Sequence, residues 1–370
     1  MYFTVYLIKF IESTLFKGVV NMSVTIRDIA KIVGVSHSTV SRSLNDSPLV
    51  AQKTKSKIKK VANDLGFAFN ANARSLSTNS IGTIGVIYPE NYGEFGPGLF
   101  YGSLLNELRE TLEKHELDSI ISFVSNRFTK ENNIKRLILS KKIDGLIIVS
   151  SNINGIDDET MNFMQSSKVP YVFLHHISNL RNISKIDMFY TDNFSGGYLA
   201  TEYLIKIGHR NIMSITSNSN TEEFNQRIRG YKEALRNYNI QTRDEYIIHG
   251  YPDINSGYNI IIEKLNFIKA NKITAIFAQT DLLALGCLQA FNELKIVVPN
   301  EISIVGYDDL ELIMNFKPNL TTIHQPRKEL AILSCERLIR LINSKHAIKN
   351  VNVMIKPKLI IRDSTMLLIK

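Results

Sequence analysis

The sequence predicts an α/β protein, with a small three-helix unit containing a helix-turn-helix ahead of a large doubly wound core. Three observations carry this expectation. Between residues 25 and 66 three short helical patterns follow one another, and a glycine turn joins the first two. From residue 81 onward short β-branched runs alternate with amphipathic helical stretches, the pattern of a parallel sheet covered on both faces. Charge divides at the same place: residues 22–80 carry nine Lys and Arg against three Asp, whereas 81–370 carry 33 basic against 31 acidic side chains.

At 370 residues the chain is too long for a minimal binding module and implies two or three domains. Apolar residues at 44% and charged residues at 21% exclude disorder, a fibrous repeat and a membrane-embedded protein. The net charge of +9 is concentrated on the small segment, an electrostatic footprint for nucleic acid. For the Lys53 to Lys60 run alone, a solvated helix face explains the lysines equally well. Cys287 and Cys335 stand in separate helical segments, so they form neither a disulfide framework nor a metal site, and a reducing, cytoplasmic compartment is expected.

Residues 1–21 hold an apolar stretch, Val5 to Ile11, interrupted by Lys9. It is too short to span a bilayer and lacks a small-residue cleavage site. Lys17-Gly18-Val19 can be encoded by a purine-rich stretch resembling a ribosome-binding site, which makes Met22 the expected start and residues 1–21 an upstream extension.

The helices follow in order. Ile26, Ile29, Ala30 and Val33 share one helical face, with Thr25 as N-cap, Asp28 as its capping-box partner and Gly34 as the stop. Ser36 then caps a second helix over His37 to Leu44, whose inward pair is Val40 and Leu44. His37, Ser38, Ser41 and Arg42 are left facing out; Arg reads guanine well, while Ser and His bond base edges or phosphates. A third helix carries Ile58, Val61, Ala62 and Leu65 inward and ends at Gly66.

The run from Val24 to Asn45, VTIRDIAKIVGVSHSTVSRSLN, resembles the headpiece of the LacI/GalR family of bacterial transcription regulators. NANARSL over 70–76 is similar to that family's hinge helix. Further matches, in the family's order, are TDNFSGG from Thr191, GHR from Gly208, RIRGY from Arg227, DLLALG from Asp281, VGYDD from Val305 and LTTIHQP from Leu320. Together they cover nearly all of residues 22–365. The resemblance implies a three-helix helix-turn-helix headpiece over 22–69, a hinge helix and linker over 70–80, and a two-lobed, periplasmic-binding-protein-like, doubly wound core over 81–370. Within the core, the first lobe is expected at about 81–185 plus 325–350 and the second at about 186–324 plus 351–366. Phe69 departs from a common proline, and Ala51 from a common capping serine.

Residue by residue, the resemblance places His37, Ser38 and Arg42 at operator-choosing positions, with a helix-surface role open for Ser38 and a phosphate contact for Arg42. Thr25, Thr39, Ser41, Asn45 and Arg74 complete the expected DNA-contacting set. Leu76 matches a leucine wedged into the minor groove; Ala73 and Leu76 could instead pair with a partner chain's hinge helix.

In the core, strand patterns recur at 81–87, 119–124, 145–149, 171–174, 212–216, 273–278 and 302–305, with helical patterns such as 104–115 and 224–238 between them. Ligands of such sheets sit at the carboxyl ends of the strands. No P-loop, complete GxGxxG or GxSxG is present, and Gly196-Gly197 reads as close packing. The motif match points to Arg227 and Asp308 as partners for ligand hydroxyls, with His175 and Thr280 as further polar contacts. Tyr88, Phe95 and Tyr251 could stack on a sugar ring or simply pack the lobes. Asp192 and Asp281 read as helix caps. The pair His175-His176 lacks a third ligand at metal-site spacing.

The expected protein is therefore not an enzyme and has no cofactor. It is a dimeric repressor that binds a double-stranded DNA operator and is released by a small-molecule effector, a sugar, to control carbohydrate uptake or catabolism. A regulator with a purine or phosphoprotein co-repressor is the alternative, and a sugar-binding transport protein the more distant one. No membrane partner is expected.

Overall fold

The computed structural model describes residues 24–45, 47–67, 80–89, 95–149, 156–175, 186–217, 221–344, 346 and 348–368. The chain divides into two compact units, Met1–Gly82 and Thr83–Lys370. Residues 1–21, with the Met22 start, and the hinge segment 70–79 lie outside the described residues.

The small unit contains α1 (Ile26–Val33), α2 (His37–Leu44) and α3 (Gln52–Asp64). Ile29, Val40 and Ile58, one from each helix, are fully buried together, with Val33, Val61 and Ala62 around them. Local chemistry sets the boundaries. The Asp28 carboxylate accepts hydrogen bonds from the Thr25 hydroxyl (2.6 Å) and backbone N–H (2.9 Å), which hold its pKa below the usual carboxylate range. Gly34 takes φ 77°, a left-handed conformation open to glycine, and so ends α1. Ser36 caps α2 by accepting from the Thr39 N–H at 3.1 Å. Ala51 gives α3 no side-chain cap. Leu44 is only half-buried; Ser43 instead shares the inward face with Val40, its hydroxyl donating to the Thr39 carbonyl.

The large unit is built on two six-stranded sheets. The first lobe contains β1 (Thr83–Tyr88), α4 (Phe95–Lys114), β2 (Asp118–Phe123), α5 (Asn133–Leu139), β3 (Gly145–Ile148), α6 (Asp158–Ser166), β4 (Tyr171–Phe173) and β5 (Met188–Thr191). The second contains α7 (Asn193–Lys206), β6 (Ile212–Ser217), α8 (Glu222–Asn237), β7 (Ile247–Gly250), α9 (Ile254–Ala270), β8 (Ala275–Ala278), α10 (Asp281–Glu293), β9 (Ser303–Asp308) and β10 (Thr321–His324). The chain then returns to the first lobe with α11 (Arg327–Asn343) and β11 (Asn352–Ile355), and ends in the second with β12 (Lys358–Ile360). Strand orders are β11-β5-β4-β3-β1-β2 and β12-β10-β9-β8-β6-β7, parallel except where β12 joins β10. Helices cover both faces of each sheet: α4 and α11 against α5 and α6 in the first lobe, α7 and α8 against α9 and α10 in the second.

The lobe boundaries differ from the sequence reading. Segments 186–191 and 351–355, expected in the second lobe, form β5 and β11 of the first, paired in parallel with Asn352 opposite Met188. Buried Asp187 explains the return. Its carboxylate accepts from Arg337 Nε (2.9 Å) on α11, from the Val351 N–H (2.8 Å) and from Asn350 Nδ2 (3.0 Å), which pins the last first-lobe strand in place. Gly196 and Gly197 are packing residues, as expected: a Cβ on Gly197 would strike the Arg227 backbone of α8, so the two helices meet backbone to backbone.

His209 sits beneath the second sheet, 2% exposed, with Nδ1 at 2.9 Å from the Thr274 hydroxyl and Nε2 at 3.1 Å from that of Ser303. Burial pulls its pKa down from 6.5 to about 4. The unfolded chain therefore takes up this proton first, and stability falls as the pH drops from 6.5 toward 4. The loss is on the order of 3 kcal/mol, readable by urea denaturation across that range. His209→Asn should be less stable at pH 7 yet show a flatter profile; an unchanged profile would assign the loss to other groups.

Candidate functional site

The exposed side of α2 divides the expected contact residues into two groups. His37 and Arg42 are exposed, and the Arg42 guanidinium has no partner among the described residues. The others are engaged within the unit. Ser38 and Thr39 hydroxyls each lie 2.8 Å from Ser36 Oγ, Asn45 donates to the Ser41 carbonyl at 2.9 Å, and Thr25 is committed to Asp28. Ser38 and Ser41 are half-buried. Arg74 and Leu76 fall outside the described residues.

The second constellation lies where the carboxyl ends of the strands of the two sheets meet. Arg227, on the second turn of α8, is 5% exposed; its Nε donates to Asn193 Oδ1 at 2.8 Å and its Nη1 to the Gln279 carbonyl. The guanidinium stands 3.7 Å from the centre of the Tyr307 ring and 4.9 Å from that of Phe224. The Tyr307 hydroxyl donates to the same Asn193 oxygen at 3.0 Å. Two of the three Arg227 nitrogens are thus spent inside the lobe, which corrects the expectation of a fork open to a ligand.

Asp308 ends β9 with φ 115°, a region that L residues rarely occupy, and Asp309 follows at φ 55°. Oδ1 of Asp308 accepts from Gln325 Nε2 at 2.7 Å, and its carbonyl accepts from Arg327 Nη1. Burial raises the Asp308 pKa against the opposing pull of Arg227. Gln325 also accepts from the Thr191 hydroxyl at 3.0 Å. One buried amide therefore joins the first chain crossing, at the end of β5, to the second, after β10, and to the strained end of β9. Sequence reasoning did not single out Gln325, Arg327 or Asn193, although Gln325 and Asn193 stand inside the LTTIHQP and TDNFSGG motifs, beside strand ends.

Thr280 is the N-cap of α10, its hydroxyl accepting from the Leu283 N–H at 3.2 Å while keeping its own proton to donate. Two expectations are corrected. Asp281 is consequently not the cap; its carboxylate ties the Leu310 N–H (2.8 Å) and the Thr322 hydroxyl, and burial together with Asp308 raises its pKa well above the usual range. Tyr88 is fully buried, edge-on to Tyr101 with centroids 6.0 Å apart, so it supports the site without lining it. Asp192 does cap α7, through the Ser195 N–H at 2.9 Å. Tyr251 is 40% exposed just beyond β7. His176 lies outside the described residues, as does the Phe95 side chain.

His175, immediately after β4, reaches from the first lobe to the second, with Nδ1 at 3.1 Å from Glu223 Oε1 on the first turn of α8. The Tyr101 ring stands edge-on behind it at 6.4 Å. The outer atoms of this pair, His175 Nε2 and Glu223 Oε2, are buried without a hydrogen-bond partner among the described residues.

Comparison with known proteins bears on both constellations. Residues 25–70 match the family described as bacterial regulatory proteins, lacI family, and residues 201–365 match a periplasmic binding protein-like domain. The chain is 30% identical over 342 residues to the HTH-type transcriptional repressor PurR of Vibrio vulnificus (strain CMCP6), spanning 92% of this chain and 98% of that relative. It belongs to the LacI family. The lac repressor dimer bound to operator and the anti-inducer ONPF is similar at 25% identity and TM-score 0.71, over 93% of this chain and 99% of that one. A LacI-family regulator from Enterococcus faecium with bound ribose is 27% identical, with TM-score 0.65, over 77% and 99%. As a LacI-family member, the protein is a DNA-binding transcriptional repressor with a ligand-binding domain, in a family of regulators rather than enzymes. No helix among the described residues is long and apolar enough to cross a membrane.

Arg227→Ala should do more than remove a ligand contact. It deletes two charged hydrogen bonds in a buried site, and a stability loss of about 3 kcal/mol is expected in urea denaturation of the core. Unchanged stability would make Arg227 a ligand contact alone.

Proposed function

We propose that this LacI-family repressor binds a near-palindromic operator as a homodimer and is released by a small polyhydroxylated effector, a sugar, held between its lobes, with genes of carbohydrate uptake or catabolism under its control. The observation that supports the reading is the junction of the two lobes at the strand ends. There His175 of the first lobe meets Glu223 of the second, with the Arg227 guanidinium and the Asp308 carboxylate nearby, a mixture of charged and hydrogen-bonding groups suited to hydroxyls. The ribose-bound relative from Enterococcus faecium supports the same class of ligand. His37 and Arg42, exposed on α2, are the residues for base or phosphate contact, and Thr25, Ser38, Thr39, Ser41 and Asn45 position the helix around them. An effector lowers operator affinity only to the extent that it binds the non-operator arrangement of the lobes better.

The similarity to repressors named PurR supports a second reading, in which a purine acts as co-repressor. Direction separates the two. With a duplex selected by the full-length protein from a random pool, a sugar should weaken binding, whereas a purine co-repressor would strengthen it. Indifference to every sugar, together with tightening by hypoxanthine or guanine, would replace the first reading with the second.

Arg42→Ala should relax base choice at one position of each half-site by about 1–3 kcal/mol while ligand binding to the core is retained. A uniform loss across sequences would make Arg42 a phosphate contact, and normal operator choice would remove it from the reading helix.

A further inference from the structure

Glu223 has no role in the contacts described so far except to meet His175, and that contact uses half of each side chain. Its carboxylate is nearly enclosed, with the side chain 13% exposed, and it sits in the first turn of α8, one turn before Arg227. Burial alone would raise its pKa, but the hydrogen bond and charge of His175 and the nearby Arg227 guanidinium hold it below the usual range, so the group is an anion. A buried anionic oxygen without a donor is costly, and so is a buried imidazole nitrogen without a partner. Glu223 Oε2 and His175 Nε2 are both in that condition, in the same pair, at the junction of the two lobes.

We propose that Glu223 selects the effector by charge: the cleft accepts an uncharged, hydrogen-donating molecule and rejects one bearing a phosphate or carboxylate. This rests on the effector reading above and narrows its ligand class. A carboxylate oxygen can only accept, so a ligand group that reaches Oε2 must bring an O–H or N–H. Because His175 Nδ1 donates to the anionic Oε1, Nε2 accepts in the neutral imidazole and donates in the imidazolium, and a hydroxyl, which does both, serves it in either state. An anionic group would meet Oε2 lone pair to lone pair, at a depth where water and salt screen little. Arg227 offers no compensating fork, because Nε and Nη1 are already held by Asn193 and Gln279.

The test is isothermal titration of the full-length protein with matched pairs: ribose and ribose 5-phosphate, glucose and glucose 6-phosphate, inosine and inosine 5′-monophosphate. The neutral member of a binding pair should bind at least about tenfold tighter than its phosphate ester, the scale of one charged hydrogen bond. Glu223→Gln keeps the shape and one acceptor oxygen but removes the charge and adds a donor. It should weaken the neutral ligand about tenfold and shrink the preference over the phosphate by a similar factor. A merely structural role for Glu223 would shift both members together and leave their ratio unchanged, and that result would overturn the proposal. So would a phosphate ester binding the unaltered protein as tightly as its neutral partner. If no pair binds and operator affinity is indifferent to all of them, the effector reading itself falls, a different outcome from binding whose selectivity does not depend on Glu223.

Discussion

Polar groups taken out of water must find partners, and in this core that requirement is concentrated where the strand ends of two sheets face each other. Asp308 is the extreme case: 6% exposed, in a strained backbone conformation, and held at side chain and carbonyl by Gln325 and Arg327. Those two holders lie on the passage from β10 to α11, and Gln325 reaches onward to Thr191 at the end of β5. The groups that steady a candidate ligand contact are thus the ones that steady the connections between the lobes. A change in the demand on Asp308 acts on these interlobe passages without any intermediate relay.

The two units solve different problems with different chemistry. The small one has a core of one deeply buried aliphatic side chain per helix and relies on caps, and its described basic residues, apart from buried Lys55, are turned to the surface. The large one buries carboxylates, a histidine and arginines, each with named partners. Its near-neutral composition therefore conceals a strongly polar interior at the cleft.

What the sequence made legible follows the range of the interactions responsible. α2 could be bounded at His37 and Leu44 because Ser36 and Gly34 act within a few residues. The strands β1 to β4, β6, β8 and β9 were readable, most as dense β-branched runs buried on both faces. β7, β11 and β12 are short edge strands with mixed exposure, and they gave no such signal. The lobe boundary failed for the same reason: β5 and β11 pair across more than 150 residues through Asp187, a carboxylate whose importance no local pattern announces. At the site, His175, Arg227 and Asp308 stood out because they follow a readable strand or belong to recognisable motifs. Tyr88 stood out falsely, since a core tyrosine occupies an equally prominent strand end. Glu223 stayed hidden because its meaning depends on a histidine 48 residues away in the other lobe.

The three passages between the lobes also bear on how the protein is made. The three helices of the small unit end at Asp64 and depend on contacts that are short in sequence, so they can form while the rest is still being synthesised. The first lobe cannot do the same. Its sheet lacks an edge strand until residues 352–355 emerge, by which time nearly all of the second lobe has been synthesised. While the second lobe is being synthesised β5 therefore presents an unpaired edge, a surface open to wrong partners. The nascent repressor is thus exposed to strand-edge aggregation for longest in the lobe that begins first.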